Sequence, residues 1–443
     1  MEQALSVSPQ VMALKQLRQA LSAAPWPIKR LGSPDVAGVN PKTDLSHLPE
    51  EATVSFIPME AVEERTGGFT HSERPLAEVR KGYTSFQDGD VLWAKITPCM
   101  QNGKAAVVHG LVNGLGFGST EFHVIRAAED VSCSFLWALL TMPRLLYAAQ
   151  AAFTGSSGHQ RVPASFLEQL EIPVPPIDVQ RRLVAELDAA RAERDRALAE
   201  AERLLGSIDQ HVCRLLGLPD VPPPTQAAYA IRLGLAKQSA TLSADYFHPE
   251  RMTALRAIRQ LSNAPLGQLV SFERQLVATP GSQRYIGLAS VASHTGQLTD
   301  AVESAAGQCF AFEPQDVLYG RLRPYLNKVW LAAFAGVCST EFHVMRVRDG
   351  SALLPAYLAV VMRTQLIVAQ TKHMMTGNTH PRLANEDVVN LLIPLADMPT
   401  QQRIVDQATA CQLEAARLRA HAETVWQQAR ERFEQQLLQG ATA

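Results

Sequence analysis

Several signatures of enzymes and metal proteins are missing from this sequence of 443 residues. No G-x-x-x-x-G-K-[ST], H-E-x-x-H or G-x-S-x-G motif occurs, which argues against a P-loop nucleotidase, a zinc protease and an α/β-hydrolase. An Asn/Asp-Pro-Pro-aromatic motif of the kind that amino-methyltransferases use is also absent, so we expect no embedded methyltransferase. The six cysteines include no C-x-x-C pair, which predicts free thiols and no structural zinc site.

Strong charge of one sign and long apolar runs are missing too. The formal net charge is −2, which gives no global indication of a nucleic-acid partner. No stretch of 18 uncharged apolar residues is present, and the N-terminal segment lacks the apolar core of a signal peptide. Hydrophobic content is 47% and charged content 19%, as in ordinary globular proteins. We therefore expect a soluble cytoplasmic protein with two or three domains and no membrane contact.

The sequence does contain a long internal duplication. The string STEFHV occurs at 119–124 and again at 339–344. Further segments pair in the same order: FIPMEAVEERTGGF with YIGLASVASHTGQL, GDVLWAKITPCMQNGK with QDVLYGRLRPYLNK, and TGSSGHQRV with TGNTHPRL. A period of about 220 residues is too long for a solenoid or propeller repeat and has the size of a domain. The chain is therefore predicted to contain two copies of one module.

Each module is predicted to be α/β with a mixed sheet, and each ends in a long helix. Short segments rich in Val, Ile and aromatic residues come first, and longer apolar helical segments follow. After a Pro-rich turn, a tract of Ala, Leu, Glu and Arg carries heptad spacing from Val184 to Leu215, spoiled by Arg191 and Arg194. A poorer copy of this heptad pattern closes the chain. Since a lone helix of this type is marginal in water, we predict that the two pair as an antiparallel coiled coil.

The predicted architecture is two α/β domains related by a pseudo-twofold axis and joined by the two long helices. The first domain covers 1–176, with an N-terminal helix at 9–24 that has no clear place in the repeat. A central long helix over 177–217, a second domain over 218–396 and a C-terminal long helix over 397–443 follow. The residues expected at the helix pair or at a subunit interface are Leu187, Leu198, Leu205, Ile208, Val212, Ala422, Trp426 and Phe433.

Basic, amide and hydroxyl side chains recur at matched turns of the two modules. Such side chains contact phosphates and base edges of DNA, and turns on a rigid scaffold can aim them. Ordinary solvated loop charge explains any one of them equally well, but their recurrence at matched positions favours DNA contact. The predicted DNA-contacting residues are Lys95, Thr97, Gln101, Asn102, Lys104, His159, Gln160, Arg161, Arg321, Arg323, Tyr325, Asn327, Lys328, Asn378, His380 and Arg382.

The duplicated string also carries an acid and an imidazole two residues apart. Glu121 and His123, like Glu341 and His343, would project from the same face of a strand. They suggest either a metal or acid–base pair, or a polar ladder in which the glutamate holds backbone amides of a turn. We favour the ladder, because two ligands are too few for a closed metal site. No catalytic residue and no metal ligand is predicted.

The order of these segments resembles the specificity (S) subunit of type I restriction-modification systems over nearly the whole chain. The resemblance is carried by GDVLWAKITP and DVLYGRLRP, the two STEFHV strings, and the helix starts IPVPPIDVQRRLV and IPLADMPTQQRIV. It implies two target recognition domains that bind the halves of a bipartite double-stranded DNA sequence. It also implies docking of methyltransferase (M) and restriction (R, translocase–nuclease) subunits.

The same resemblance implies a chain that is not catalytic and holds no cofactor. S-adenosylmethionine, ATP and Mg would belong to the partner subunits of a DNA adenine methyltransferase and endonuclease. Other interpretations stay open: a coiled-coil scaffold that does not bind DNA, an enzyme that uses the Glu/His pairs, or a subunit of a methylation-only or other phage-defence complex.

Overall fold

The structure is a computed structural model, and it describes residues 8–46, 48–156, 159–218, 229–231, 243–277, 283–305, 307–374, 381–383 and 385–440. The chain divides into two compact units. Unit 1 comprises residues 1–197 and 420–443, and unit 2 comprises residues 198–419. Both mix helices with sheets, which confirms the predicted α/β class. Among the described residues no helix combines the length and the apolar character that crossing a bilayer requires.

Unit 1 contains two four-stranded sheets and a two-stranded ribbon. In chain order its strands are β1 (Ile28–Arg30), β2 (Ala37–Val39), β3 (Thr53–Ile57), β4 (Ser72–Pro75), β5 (Thr84–Gln87), β6 (Val91–Ala94), β7 (Ala105–Val107), β8 (Leu115–Gly118), β9 (Phe122–Ala127) and β10 (Glu171–Pro173). Its helices are α1 (Pro9–Ser22), α2 (Leu76–Val79), α3 (Cys133–Leu140), α4 (Pro143–Ala149), α5 (Ala164–Glu168) and the start of α6 (Ile177–Leu215). The sheets have the orders β2-β9-β6-β7 and β4-β3-β8-β5, and β1 pairs with β10.

Unit 2 repeats this plan. Its strands are β11 (Asn263–Pro265), β12 (Val270–Glu273), β13 (Leu276–Val277), β14 (Tyr285–Ile286), β15 (Cys309–Phe312), β16 (Val317–Gly320), β17 (Val329–Leu331), β18 (Gly336–Ser339), β19 (Phe342–Val347) and β20 (Leu392–Pro394). Its helices are α7 (Pro249–Arg259), α8 (Leu266–Leu269), α9 (Pro355–Val361), α10 (Gln365–Thr371), α11 (Asn385–Val389) and the start of α12 (Met398–Gln439). The sheets have the orders β12-β19-β16-β17 and β13-β15-β18-β14, and β11 pairs with β20.

The two units share one unusual strand pairing. Each second sheet has a single parallel pair among antiparallel ones, β3 with β8 in unit 1 and β14 with β18 in unit 2. The register places Phe56 opposite Phe117 in the first and Ile286 opposite Cys338 in the second. Only the outer strand differs, since β4 lies beside β3 whereas β13 lies beside β15. Each unit is therefore a copy of the other with one edge strand exchanged.

The N-terminal helix belongs to the internal duplication. Helix α1 packs on α4, and α7 packs on α10. Each helix begins with proline after a capping side chain: Ser8 accepts a bond from an amide of the first turn, and so does His248. The strings LSAAP at 21–25 and LSNAP at 261–265 mark the end of the matched segments.

The two long helices pair antiparallel in unit 1. Gln436 lies 3.3 Å from Glu186, and His421 lies 2.8 Å from Glu193, so one helix ascends where the other descends. Leu187, Trp426 and Phe433 share one core cluster with α3 and α4. In unit 2, Ile208 and Val212 of α6 join the cluster that contains Ile404 and Ala408 of α12. Of the other predicted seam residues, Ala422 is buried, whereas Leu198 and Leu205 are half-buried.

The arginine that interrupts the heptad pattern has a structural role. The guanidinium of Arg191 lies 4.6 Å from the centre of the Trp137 ring and 5.6 Å from that of Trp426. The aromatic faces attract the cation, each such contact being worth about 0.5–2 kcal/mol. Arg194, by contrast, pairs with the neighbouring Asp195 at 2.6 Å. Arg191 is therefore a half-buried side chain that contacts two aromatic rings of the unit 1 core, and it is no defect in the seam.

One buried glutamine ties the start of each long helix to its unit. The amide of Gln180 accepts a bond from Ser132 N at 2.9 Å and donates to Pro175 O at 2.8 Å. Gln401 likewise accepts from Leu354 N at 2.9 Å and donates to the carbonyls of Ala352 and Ala396, both at 2.9 Å. Because unpaired buried polar groups are costly, these bonds fix how each helix leaves its unit. They explain why a glutamine follows the proline-containing turn at the start of both long helices.

Candidate nucleic-acid interface

The structure brings together the two predicted DNA-binding loops of unit 1. The loop 95–104 follows β6, and the segment 159–161 lies beside it as a short β-bridge. The amide of Thr97 donates to Gln160 O at 2.9 Å, and the amide of Val162 donates to Lys95 O at 3.0 Å. Residues separated by about 60 positions in the chain thus form one surface.

The loops of unit 2 meet in the same way. The amide of Arg323 donates to Pro381 O at 2.8 Å, and that of Leu383 donates to Arg321 O at 3.2 Å. Lys95 and Arg321 occupy matched places, because their amides donate to Glu121 O and Glu341 O, both at 2.9 Å. Asn378 and His380, which were also predicted to contact DNA, lie outside the described residues.

In each unit a bidentate ion pair between arginine and glutamate holds the second loop, which contains Arg161 in unit 1 and Arg382 in unit 2. Arg161 donates two bonds to Glu121, at 2.9 and 2.7 Å, and Arg382 donates two to Glu341, at 3.1 and 2.7 Å. The guanidinium beside each carboxyl lowers the pKa of Glu121 and of Glu341. The polar ladder was predicted to have the glutamate hold backbone amides; this detail is wrong, because both carboxylates hold arginines. Such paired geometry orients a guanidinium while leaving part of it open to solvent.

The histidines of the duplicated string are buried, and they stack on aromatic rings of the neighbouring strand. His123 faces Trp93 and His343 faces Tyr319, both with 6.3 Å between ring centres. Nε2 of His123 lies 2.9 Å from Val162 O. Burial lowers the pKa of His123, and burial beside Arg321 lowers the pKa of His343 to about 4. Both imidazoles are therefore neutral near pH 7, which suits packing better than proton transfer.

The predicted contact residues divide into framework and surface groups. Lys104 Nζ donates to Met59 O at 3.3 Å, and Lys328 Nζ donates to Leu288 O and Val291 O, both at 2.7 Å. The side chain of Asn327 is buried and donates to Arg363 O at 2.7 Å. These groups stabilise the loops, and their DNA contacts stay predictions that this geometry does not favour.

The remaining predicted residues lie nearer the surface. Gln101 bonds Gln150 at 3.2 Å, and Asn102 bonds Glu64 at 2.9 Å. His159, Arg323 and Tyr325 are exposed. Direct DNA contact therefore stays a prediction that exposure favours most for these last three.

A polar cavity of about 90 Å³ opens in unit 2 beside the matched arginine. Arg274, Arg321 and His343 contribute its polar lining, together with Glu273 and Asn385. Within the described residues, Nε of Arg321 and Nε2 of His343 are buried and have no hydrogen-bond partner. Because buried donors without partners are rare, Nε of Arg321 is a group that a hydrogen-bond acceptor in this cavity would satisfy.

Sequence reasoning missed Arg274 as a member of this site. It lies one residue after β12, and the matching position after β2 falls at Pro41. The pattern of basic residues repeated in both modules therefore does not include Arg274. Its charge nevertheless contributes to lowering the pKa of His343, after burial and Arg321.

Comparison with known proteins agrees with this geometry. Residues 30–199 match the family model described as the type I restriction modification DNA specificity domain. The matched segment includes both loops of unit 1 that were predicted to contact DNA, and over residues 30–199 the family resemblance predicted from the sequence is confirmed.

Two curated relatives from Escherichia coli match part of the chain. The EcoAI type I specificity subunit is 38% identical over 184 residues, which is 41% of this chain and 31% of that protein. The EcoEI type I specificity subunit is 40% identical over 152 residues, which is 34% of this chain and 25% of that protein. The matches thus span less than a third of either relative.

A solved structure resembles the chain over most of its length. It comes from work on complex assembly and conformational transition of the type I R-M system. The identity is 20% and the TM-score 0.49, over 94% of this chain and 98% of that chain.

Proposed function

We propose that this chain is the DNA sequence-recognition subunit of a type I restriction-modification complex, with each unit binding one half of a bipartite target. The specificity domain covers the loops of unit 1. The observation that carries the proposal to unit 2 is the matched framework, in which Lys95 and Arg321 occupy equivalent places. Because the two units are copies with different loop residues, they suit two different half-sites.

The chemistry of the loops suits DNA. Arg321 has an unused buried donor in a cavity that also holds Arg274, so a phosphate oxygen or the acceptor edge of a guanine would satisfy it. Arg323 and Tyr325 face solvent beside it. The Glu–Arg pairs and the lysine–carbonyl bonds hold the loops in place, which lowers the entropy cost of binding.

In this proposal the chain is not catalytic and acts in the cytoplasm. Methyltransferase and restriction subunits would dock on the exposed faces of the long helices and carry S-adenosylmethionine, ATP and Mg. The net charge of −2 fits this division, because partners that enclose the duplex would neutralise much of the phosphate charge. The purified chain alone is accordingly expected to bind DNA weakly.

The decisive experiment removes the basic side chains of unit 2 in the assembled complex. We expect Arg321→Ala to relax discrimination between target and non-target duplexes by roughly 10- to 100-fold, as for loss of one base contact. Arg323→Ala is expected to weaken all duplexes alike and to reduce the salt slope by about one, as for loss of one phosphate contact. Competition binding across a salt series measures both effects.

The matched control is Arg259→Ala, which removes an exposed positive charge from α7 outside the loops. It should leave target discrimination unchanged. Size-exclusion chromatography must find all variants assembled with their partners. Unaltered target discrimination in the Arg321 variant, together with an unaltered salt slope in the Arg323 variant, would contradict the proposal and favour the scaffold interpretation.

A second variant exchanges the matched residues. Arg321→Lys introduces the residue that unit 1 carries at Lys95 and keeps the charge, but a lysine cannot make the two-pronged contact. We expect the base preference to change in one half of the target and to stay unchanged in the other half. Methylation mapping of cells that carry each variant would display this as a changed half-site.

A further inference from the structure

Three side chains that can bind a transition metal meet in unit 2, where α7 begins and α10 ends. His248 precedes α7, Glu250 lies in its first turn, and His373 follows α10. Their ligand atoms all lie within 4.8 Å of one another. Nε2 of His373 is 2.8 Å from Oε2 of Glu250, and the two imidazole rings stack with 3.6 Å between their centres.

All three side chains are half-buried. The side chains of Glu250 and His373 are 17% and 15% exposed. The carboxylate of Glu250 accepts hydrogen bonds from Nε2 of His373 at 2.8 Å and from Nζ of Lys372 at 3.2 Å. A metal ion binds a carboxylate that is ionised and an imidazole that is neutral.

We propose that His248, Glu250 and His373 form a binding site for Zn²⁺. Two imidazoles and one carboxylate are a common ligand set for this ion, with water in the fourth position. Bond lengths of about 2.0–2.1 Å in a tetrahedron put neighbouring ligand atoms about 3.4 Å apart. The ligand atoms lie within 4.8 Å of one another, and the closest pair is 2.8 Å apart, so binding would require side-chain rotations that separate the stacked rings.

Unit 1 shows that the packing of these helices does not need the cluster. Aligning Pro9 with Pro249 places Ser8 and Gln10 opposite His248 and Glu250. Aligning the TG strings places Ala151 opposite His373. Helix α1 still packs on α4 there, with none of the three ligands. The cluster is thus an addition specific to unit 2.

An ion pair explains only part of this arrangement. Glu250 receives hydrogen bonds from both Lys372, at 3.2 Å, and His373, which would suffice to neutralise it. The imidazole of His248 caps α7 through Nδ1, which accepts from the amide of Glu250, and this leaves Nε2 as its ligand atom. Two stacked imidazoles repel each other when protonated. A bound cation accounts for both rings. Lys372 would leave the carboxylate as the cation binds, so it acts as a competitor.

The test uses the full-length chain, freed of metal with a chelator and titrated with Zn²⁺ by calorimetry. The comparison variant carries His248→Ser, Glu250→Gln and His373→Ala, the residues of unit 1, where the same helix packing forms with them. We expect the parent chain to bind one more equivalent of Zn²⁺ than this variant. Equal stoichiometry in the two chains, with equal melting temperatures before addition of metal, would overturn the proposal.

Two further measurements separate this site from the six cysteines. Cobalt(II) in the site should lack the thiolate charge-transfer band, and that band in the parent chain alone would refute the ligand assignment. Lys372→Gln, which copies Gln150 of unit 1, should tighten Zn²⁺ binding because a competing cation is removed. Weaker or unchanged binding in this variant would contradict coordination through Glu250. No DNA is involved, so the outcome is independent of the proposed function.

Discussion

In unit 1 a buried aspartate, Asp90, holds Arg126 of the neighbouring strand by two bonds, and in unit 2 Asp316 holds Arg346 with nearly the same distances. The residue that lines the cavity differs, in contrast: unit 2 carries Arg321 there, and unit 1 carries Lys95 at the matched position. The polar groups that stabilise the framework are therefore duplicated, while those that face the proposed DNA differ. The proposed binding of two different half-sites would use this division.

The largest effect is expected when the shared aspartates are removed. Asp90→Ala and Asp316→Ala each leave an arginine and a backbone amide without their acceptor, since Gln87 N and Glu313 N also donate to these carboxylates at 2.8 Å. We expect each to lower the free energy of unfolding by roughly 2–4 kcal/mol. Urea denaturation measures the loss. Equal costs in the two units would support a shared framework, and a cost in only one would contradict it.

A smaller effect is expected from the buried histidines under acid conditions. The pKa of His343 is lowered to about 4, whereas an unfolded chain protonates histidine near pH 6.5. As pH falls from 6.5 towards 4, the unfolded state binds the additional proton, so stability falls by up to about 3 kcal/mol. His343→Gln should flatten the pH dependence of the unfolding free energy in this window.

His123 supplies the matched control in unit 1. Burial lowers its pKa as well, but the bond to Val162 O opposes that shift. His123→Gln should therefore flatten the pH dependence less than His343→Gln. An equal or larger effect at His123 would remove this distinction between the units.

The smallest expected effect concerns the helix seam. Arg191→Ala removes the cation between Trp137 and Trp426 and should cost about 1–2 kcal/mol of unfolding free energy. Arg194→Ala, three residues on, should cost less, because Arg194 pairs with its exposed neighbour Asp195. In unit 2 the matched seam position carries Gln412, which donates to Thr295 O. Thermal melts of the two variants compare these two positions directly, and equal losses would contradict a stabilising role specific to Arg191.

The sequence was enough to predict the duplicated α/β modules, because strings such as STEFHV survive almost unchanged. It was enough to single out two loops of unit 1 that the structure brings together, yet not to predict that Glu121 binds Arg161, since no local pattern joins residues 40 positions apart. The heptad pattern made Arg191 a defect because periodicity scores its charge and ignores the aromatic rings of a distant helix. The match between α1 and α7 could not be predicted because it lies mainly in how the two helices pack and little in their sequences.

The buried glutamines at the starts of the long helices have a mechanical consequence. A helix advances about 100° per residue. One residue inserted ahead of Gln180 or Gln401, within the first turn of the helix, would rotate that side-chain amide away from the backbone groups to which it bonds. The same insertion far along the helix would leave these bonds intact and would rotate only the residues beyond the insertion. The orientation of each long helix is thus set where the helix begins.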